Sequence, residues 1–123
     1  MPAEVKRSVR VAARVQQELA MLLTTEARDP RIKGVLVSRV EMPDDLRSVR
    51  VYVRLLEGGD EPARRKEALA GLGSAAGMLR REIGARVGLR FSPEMRFYYD
   101  AGQEKVDRIE ILLDEVRREK KPE

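Results

Sequence analysis

The chain predicts an α+β domain, a three-stranded sheet carrying helices on one face, in the order α-β-β-α-kink-α-β-α. Three observations carry that prediction. Residues 4–26 and about 103–118 place apolar side chains at helical spacing. Residues 47–56, RSVRVYVRLL, alternate strictly and follow a second β-branched run, VLVSRVEM at 35–42, across the turn residues PDD at 43–45. A long helical pattern from about 62 to 87 is interrupted by the glycine-rich stretch LAGLGSAAG.

The first helix, 4–26, gathers Val5, Val11, Ala12, Val15, Leu19, Leu22 and Leu23 on one side and Lys6, Arg7, Arg10 and Arg14 on another. Only the apolar side needs a core. Asp29-Pro30 ends it, because the residue before proline avoids helical backbone. RDPRIKG then forms a basic loop with Arg28, Arg31 and Lys33. In the hairpin, Val49, Val51, Val53 and Leu55 share the buried face. Arg50, Tyr52 and Arg54 take the other.

After the EGGDEP loop, Asp60 or a neighbour can cap the next helix and Pro62 suits its first turn. Helical signal runs to Leu72, breaks, and resumes to Val87, with Ala68, Leu69, Leu72, Met78, Leu79, Ile83 and Val87 apolar. SPEMRFYYD at 92–100 is the third strand, with Met95, Phe97 and Tyr99 facing the core. Tyr52 and Tyr98 are open to either stacking or helix packing. The last helix follows. Residues 1–118 make a single domain, with 119–123 a polar, frayed tail.

Composition narrows function. The 123 residues include 25 Lys+Arg and 21 Asp+Glu, a net charge of +4. The segment from Asp100 onward is acidic on balance, so the body of the domain is the basic part. Arg greatly outnumbers Lys, which suits bidentate phosphate recognition, although a general Arg bias would give the same ratio. There is no Cys and no His. Thiol chemistry, disulfides, most zinc sites and the usual neutral-pH proton shuttle are therefore excluded. No apolar run reaches the roughly 20 residues of a membrane helix, and the charged N-terminal stretch has no signal-peptide core, so a cytoplasmic protein is expected. No phosphate loop of the G-x-x-x-x-G-K-[ST] type is present. The adjacent carboxylates Asp44-Asp45 and Asp114-Glu115 fit a turn and a solvated helix. No catalytic residue, metal or cofactor is expected.

The glycine cluster carries the most information. Each glycine inside a helix costs about 1 kcal/mol relative to alanine. Gly71, Gly73 and Gly77 therefore mark either a close helix contact or a place where an outside group approaches. A helix-joint-helix after a hairpin is the core of a KH-type fold, whose GXXG loop clamps nucleotide backbone. Here the motif is GSAAG, one residue longer between Gly73 and Gly77. Arg80 and Arg81 follow on the next turn.

With that departure, the chain resembles the ribosome-binding factor A family, a KH-type II-like module in which an Ala-x-Gly kink, here Ala75-Ala76-Gly77, replaces GXXG. DPRI at 29–32, the hairpin at 37–53, LRREIGARVGLRFSPEMRFYYD at 79–100 and RIEILL at 108–113 agree with it in order. The resemblance implies a non-catalytic, monomeric, cytoplasmic factor. It would bind the free small (30S) ribosomal subunit and assist late maturation and processing of 16S rRNA, chiefly in the cold. The resemblance also implies an assembly GTPase that promotes release in some bacteria. Expected RNA contacts are Lys6, Arg7, Arg10, Arg14, Arg31, Lys33, Ala75, Ala76, Gly77, Arg80 and Arg81, with Arg86 and Arg90 in addition. The rival readings are a KH-like regulator of other RNAs and a module that docks a ribosomal protein.

Overall fold

The computed structural model describes residues 6–25 and 28–101. The elements are helix α1 (Arg7–Thr25), a 3-10 turn (Pro30–Ile32), strands β1 (Val35–Glu41) and β2 (Ser48–Leu55), helix α2 (Pro62–Val87) and strand β3 (Glu94–Tyr99). The expected helix over 103–118 and the tail lie outside the described residues.

β2 is the central strand. It pairs antiparallel with β1 and parallel with β3, Val49 opposite Met95 and Val53 opposite Tyr99. A parallel neighbour requires a crossover connection, and α2 supplies it. The hairpin turn closes through Leu46 N–H to the Pro43 carbonyl at 3.0 Å, and Leu46 itself adopts φ 59°.

β1 carries one irregularity. Its register slips between Val37 and Arg39, leaving Ser38 as an extra residue. Apolar positions inward of the slip are Val35 and Val37, and beyond it Val40 and Met42. The bulge thus keeps both halves of an out-of-phase pattern on the core face.

Both helices pack on the face of the sheet that carries Val49, Val51 and Val53. Val15, Leu19, Leu22 and Leu23 of α1, Leu72, Leu79 and Ile83 of α2, and Met95, Phe97 and Tyr99 of β3 complete one core. Phe97 and Tyr99 thus face inward, as their alternation predicts. Tyr52 and Tyr98 point to the opposite face, yet both are buried and pack ring on ring at 5.4 Å.

The two helices expected on either side of the glycine cluster form one continuous helix of 26 residues. The reason is energetic. Ala68, Leu72, Leu79 and Ile83 stay in phase across the cluster and are all fully buried. Burying each large side chain contributes about 1.5–3 kcal/mol, which outweighs about 1 kcal/mol per glycine. Asp60 does not cap this helix: the N-cap position is Glu61, with no side-chain cap bond, and Pro62 begins the first turn. The helix ends at Gly88, φ 74°, with the Gly88 and Leu89 N–H groups both donating to the Gly84 carbonyl.

Candidate nucleic-acid interface

α1 and α2 run antiparallel. Near the start of α1, Arg14 donates from Nη2 to the Arg86 carbonyl, 3.2 Å, in the last turns of α2. The turn that follows α1 lies instead against Gly71, in the first half of α2. One end of the molecule therefore holds the N-terminus of α1, the C-terminus of α2 and, through Ser8 Oγ donating to Asp44 Oδ1 at 3.1 Å, the β1–β2 turn.

The predicted cations divide by what their side chains touch. Lys6, Arg7 and Arg10 are exposed, and no side-chain partner holds them among the described residues. They sit on or just before the first turn of α1, where no acidic residue offsets them. The positive end of the helix dipole adds to their field, so this end is electropositive twice over. Lys33, Arg81 and Arg90 are exposed as well.

The other four are engaged within the fold. Arg14 and Arg86 both approach Glu18, each at 3.7 Å, and Arg86 also meets Glu82 at 3.5 Å. Arg31 grips Asp29, with Nη2 on Oδ2 at 2.6 Å and Nε shared between both oxygens, and reaches Ser74 Oγ at 3.3 Å. Hydrogen bonds from Arg31 hold the Asp29 carboxyl below its ordinary pKa and raise that of the guanidinium. One of the three cations of the basic loop is thus neutralised from within. Arg80 donates from Nε to the Pro93 carbonyl at 2.9 Å and from Nη2 to that of Ser92 at 3.2 Å, clasping the segment that leads into β3.

The glycine cluster also divides. A Cβ on Gly71 would stand 2.9 Å from Arg31 Cβ and 3.1 Å from Ile32 Cγ1, so Gly71 admits the DPRI turn. Ala75 and Ala76 pack against the core. Gly73 and Gly77 look outward. A Cβ on Gly73 would meet nothing within 4 Å, and one on Gly77 only the Arg81 guanidinium at 3.6 Å.

Residues that sequence reasoning passed over also shape this surface. Arg64 pins the DPRI turn by donating to the carbonyls of Arg31 and Lys33, both at 2.9 Å. Arg47 and Phe91 meet at the α1 end, the guanidinium carbon 4.9 Å from the ring centroid. The signal for Phe91 was an aromatic beside Arg90 in a loop bounded by Gly88 and Pro93. The pair Asp44-Asp45 is structural: Asp44 accepts from Ser8, and Asp45 accepts from the Arg47 N–H at 3.0 Å. Among the described residues no cluster of His, Cys, Asp or Glu could hold a metal, and no helix is long and apolar enough to cross a membrane.

The family model for Ribosome-binding factor A matches residues 7–113. The chain belongs to the ribosome-binding factor A family. Ribosome-binding factor A of Sorangium cellulosum is 49% identical over 117 residues, covering 95% of this chain and 94% of that protein. Ribosome-binding factor A of Geobacter sulfurreducens is 40% identical over 114 residues, covering 93% and 94%. Among solved structures, a Thermotoga maritima protein studied in solution by NMR superposes with a TM-score of 0.68 at 36% identity, over 85% of this chain and 96% of that one. A Thermus thermophilus ribosome binding factor A homology model, fitted into the cryo-EM map of a 30S–RbfA complex, superposes with a TM-score of 0.61 at 25% identity, over 77% and 98%. Membership places the α1–α2 surface described above on a ribosome-binding factor A scaffold.

Proposed function

We propose that this protein is a non-catalytic, cytoplasmic assembly factor that binds the free 30S subunit as a monomer and assists late maturation and processing of 16S rRNA, including during growth in the cold. The observation that carries the RNA-binding part is the cation cluster at the start of α1, unpaired among the described residues. Lys6, Arg7 and Arg10 oppose the helix dipole at a cost in stability, and a bound polyanion turns that cost into affinity. Family membership, and the 30S particle that holds the Thermus thermophilus relative, support the small subunit as the source of the RNA.

In this reading Lys6, Arg7, Arg10, Lys33, Arg81 and Arg90 neutralise phosphates. Gly73 and Gly77 let sugar–phosphate backbone approach the outer side of α2 near Arg81. Arg14, Arg31, Arg80 and Arg86 shape the surface through their internal bonds and add to its field. The contacts span the length of α2 between Gly71 and Val87, about 24 Å at 1.5 Å per residue, so several phosphates are engaged at once. Binding favours one local rRNA conformation over another, a population shift. An assembly GTPase would act on release.

Co-sedimentation with free 30S subunits, 50S subunits and 70S ribosomes across a salt series tests this. Selective pelleting with 30S, lost as salt rises and lost in Arg10→Glu and Arg81→Glu, is expected. Equal binding to all three particles would remove the subunit-specific part, and no binding at low salt would remove the whole reading.

A further inference from the structure

Phe91 is exposed (52%) in a fold whose other Phe and three Tyr are buried, and nothing in the core needs it. Its surroundings are polar and cationic. The Arg47 guanidinium carbon lies 4.9 Å from the ring centroid and that of Arg90 5.8 Å. Both arginines are exposed.

The backbone beneath this group is tied on every side. Gly88 and Leu89 donate to Gly84, and Gly84 lies close under Ser92, so that a Cβ there would stand 3.3 Å from the Ser92 hydroxyl. Arg80 holds the Ser92 and Pro93 carbonyls. The Glu94 N–H donates to the Arg47 carbonyl at 2.9 Å, joining the two segments, and the Leu46 backbone in left-handed conformation turns the chain immediately before Arg47. An aromatic ring displayed on so constrained a loop loses little entropy on binding.

The same end of the molecule carries Arg10. Arg14 reaches the Arg86 carbonyl. One helical turn back from Arg14 is Arg10, and four residues on from Arg86 is Arg90, the neighbour of Phe91. Ser8 meets Asp44 beside the turn that delivers Arg47. An aromatic face rimmed by guanidinium groups is the chemistry that receives an unpaired nucleotide: every base has a π-face, arginine planes also stack on bases, and the cations bind the flanking phosphates.

We propose that Phe91, flanked by Arg47 and Arg90, is a stacking platform for an unpaired RNA base. This rests on the RNA-binding reading above and adds to it a preference for single-stranded over fully paired RNA at this end of the domain.

The test uses the full chain and two probes, a short unstructured single-stranded RNA and a duplex of the same length. The chain has no Trp, so Phe91→Trp introduces one reporter at the platform. Phe91→Ala and Phe91→Leu should each weaken single-strand binding by about tenfold with an unchanged salt slope, leaving duplex binding as it was. Phe91→Trp should hold its affinity, and its fluorescence should quench on binding. Wild-type affinity in Phe91→Leu, whose side chain is apolar but has no π-face, overturns the stacking platform. So does unquenched tryptophan fluorescence in a Phe91→Trp protein that still binds. If either occurs while Arg10→Glu still abolishes binding, RNA recognition stands without the platform. If the wild type binds neither probe at low salt, both readings fall.

Discussion

A methyl group on Gly71 would stand 2.9 Å from Arg31 Cβ, so the glycine and the DPRI turn fit only as a pair. Gly71→Ala should therefore destabilise the fold, even though alanine is the better helix former, because the turn held by Arg64 must shift. Gly73→Ala and Gly77→Ala meet no comparable obstacle and should each stabilise by about 1 kcal/mol. Chemical denaturation of the three variants checks this. A Gly71→Ala protein as stable as the other two would remove the packing account. The two stabilising variants should also bind 30S less well if RNA backbone lies on that surface.

Arg7→Glu should move stability and binding in opposite directions. An acid in place of a base on the first turn of α1 complements the dipole and should add about 0.3–1 kcal/mol. The same change should weaken RNA binding and flatten its salt dependence, by about 0.7–0.9 in the slope of log K against log salt for each phosphate no longer neutralised. Thermal melts and salt titrations of the one variant measure both. A variant that is less stable and binds as before contradicts the account.

Arg80 ties α2 to the entrance of β3 through two carbonyls, so Arg80→Met should lower stability by about 1–3 kcal/mol and loosen the loop bearing Phe91. Charge reversal at Arg80 consequently mixes folding with binding, whereas Arg81, exposed on the same helix, reports binding more cleanly. Equal melting temperatures for wild type and Arg80→Met would show the clasp to be idle.

The Asp29 carboxyl titrates below its ordinary value because Arg31 hydrogen-bonds its charged form. A depressed folded pKa means the unfolded chain takes up the proton first on acidification. The stabilisation is thus present above the ordinary carboxylate pKa of about 3.9 and is lost as pH falls through the lower, folded value. Asp29→Asn should melt with a shallower dependence on pH across that acidic window than the wild type. Identical dependences would show that the Asp29–Arg31 pair contributes nothing; its exposure to solvent keeps the expected effect small.

Much of this architecture is legible in the residues. The alternation of Val49, Val51 and Val53 and the helical stripe of α1 identify the sheet face and its partner helix correctly. The Ser38 bulge is not read from the β-branched run at 35–42; it emerges only once the structure shows the inward apolar positions passing from Val35 and Val37 to Val40 and Met42. The unbroken α2 is hidden when helix propensity is weighed above the in-phase positions Ala68, Leu72, Leu79 and Ile83. The bonds of Arg14 to Arg86, Arg86 to Glu18 and Arg80 to Ser92 and Pro93 are hidden for a different reason: they join groups brought together only by the folded chain, whereas Arg14–Glu18 and Arg86–Glu82 are i, i+4 pairs within one helix. Exposure is the missing quantity for Phe91, which pattern alone does not separate from a core aromatic.

The parallel pairing of β2 with β3 has a kinetic consequence. The β1–β2 hairpin closes through a short turn, but β3 reaches β2 only after the whole of α2 has been laid across the sheet, a long loop to close. The hairpin can therefore assemble early, while the strand entered through the Phe91 loop docks late. By the same path reversed, a fluctuation that detaches β3 would separate Arg47 from Phe91 while leaving the hairpin paired.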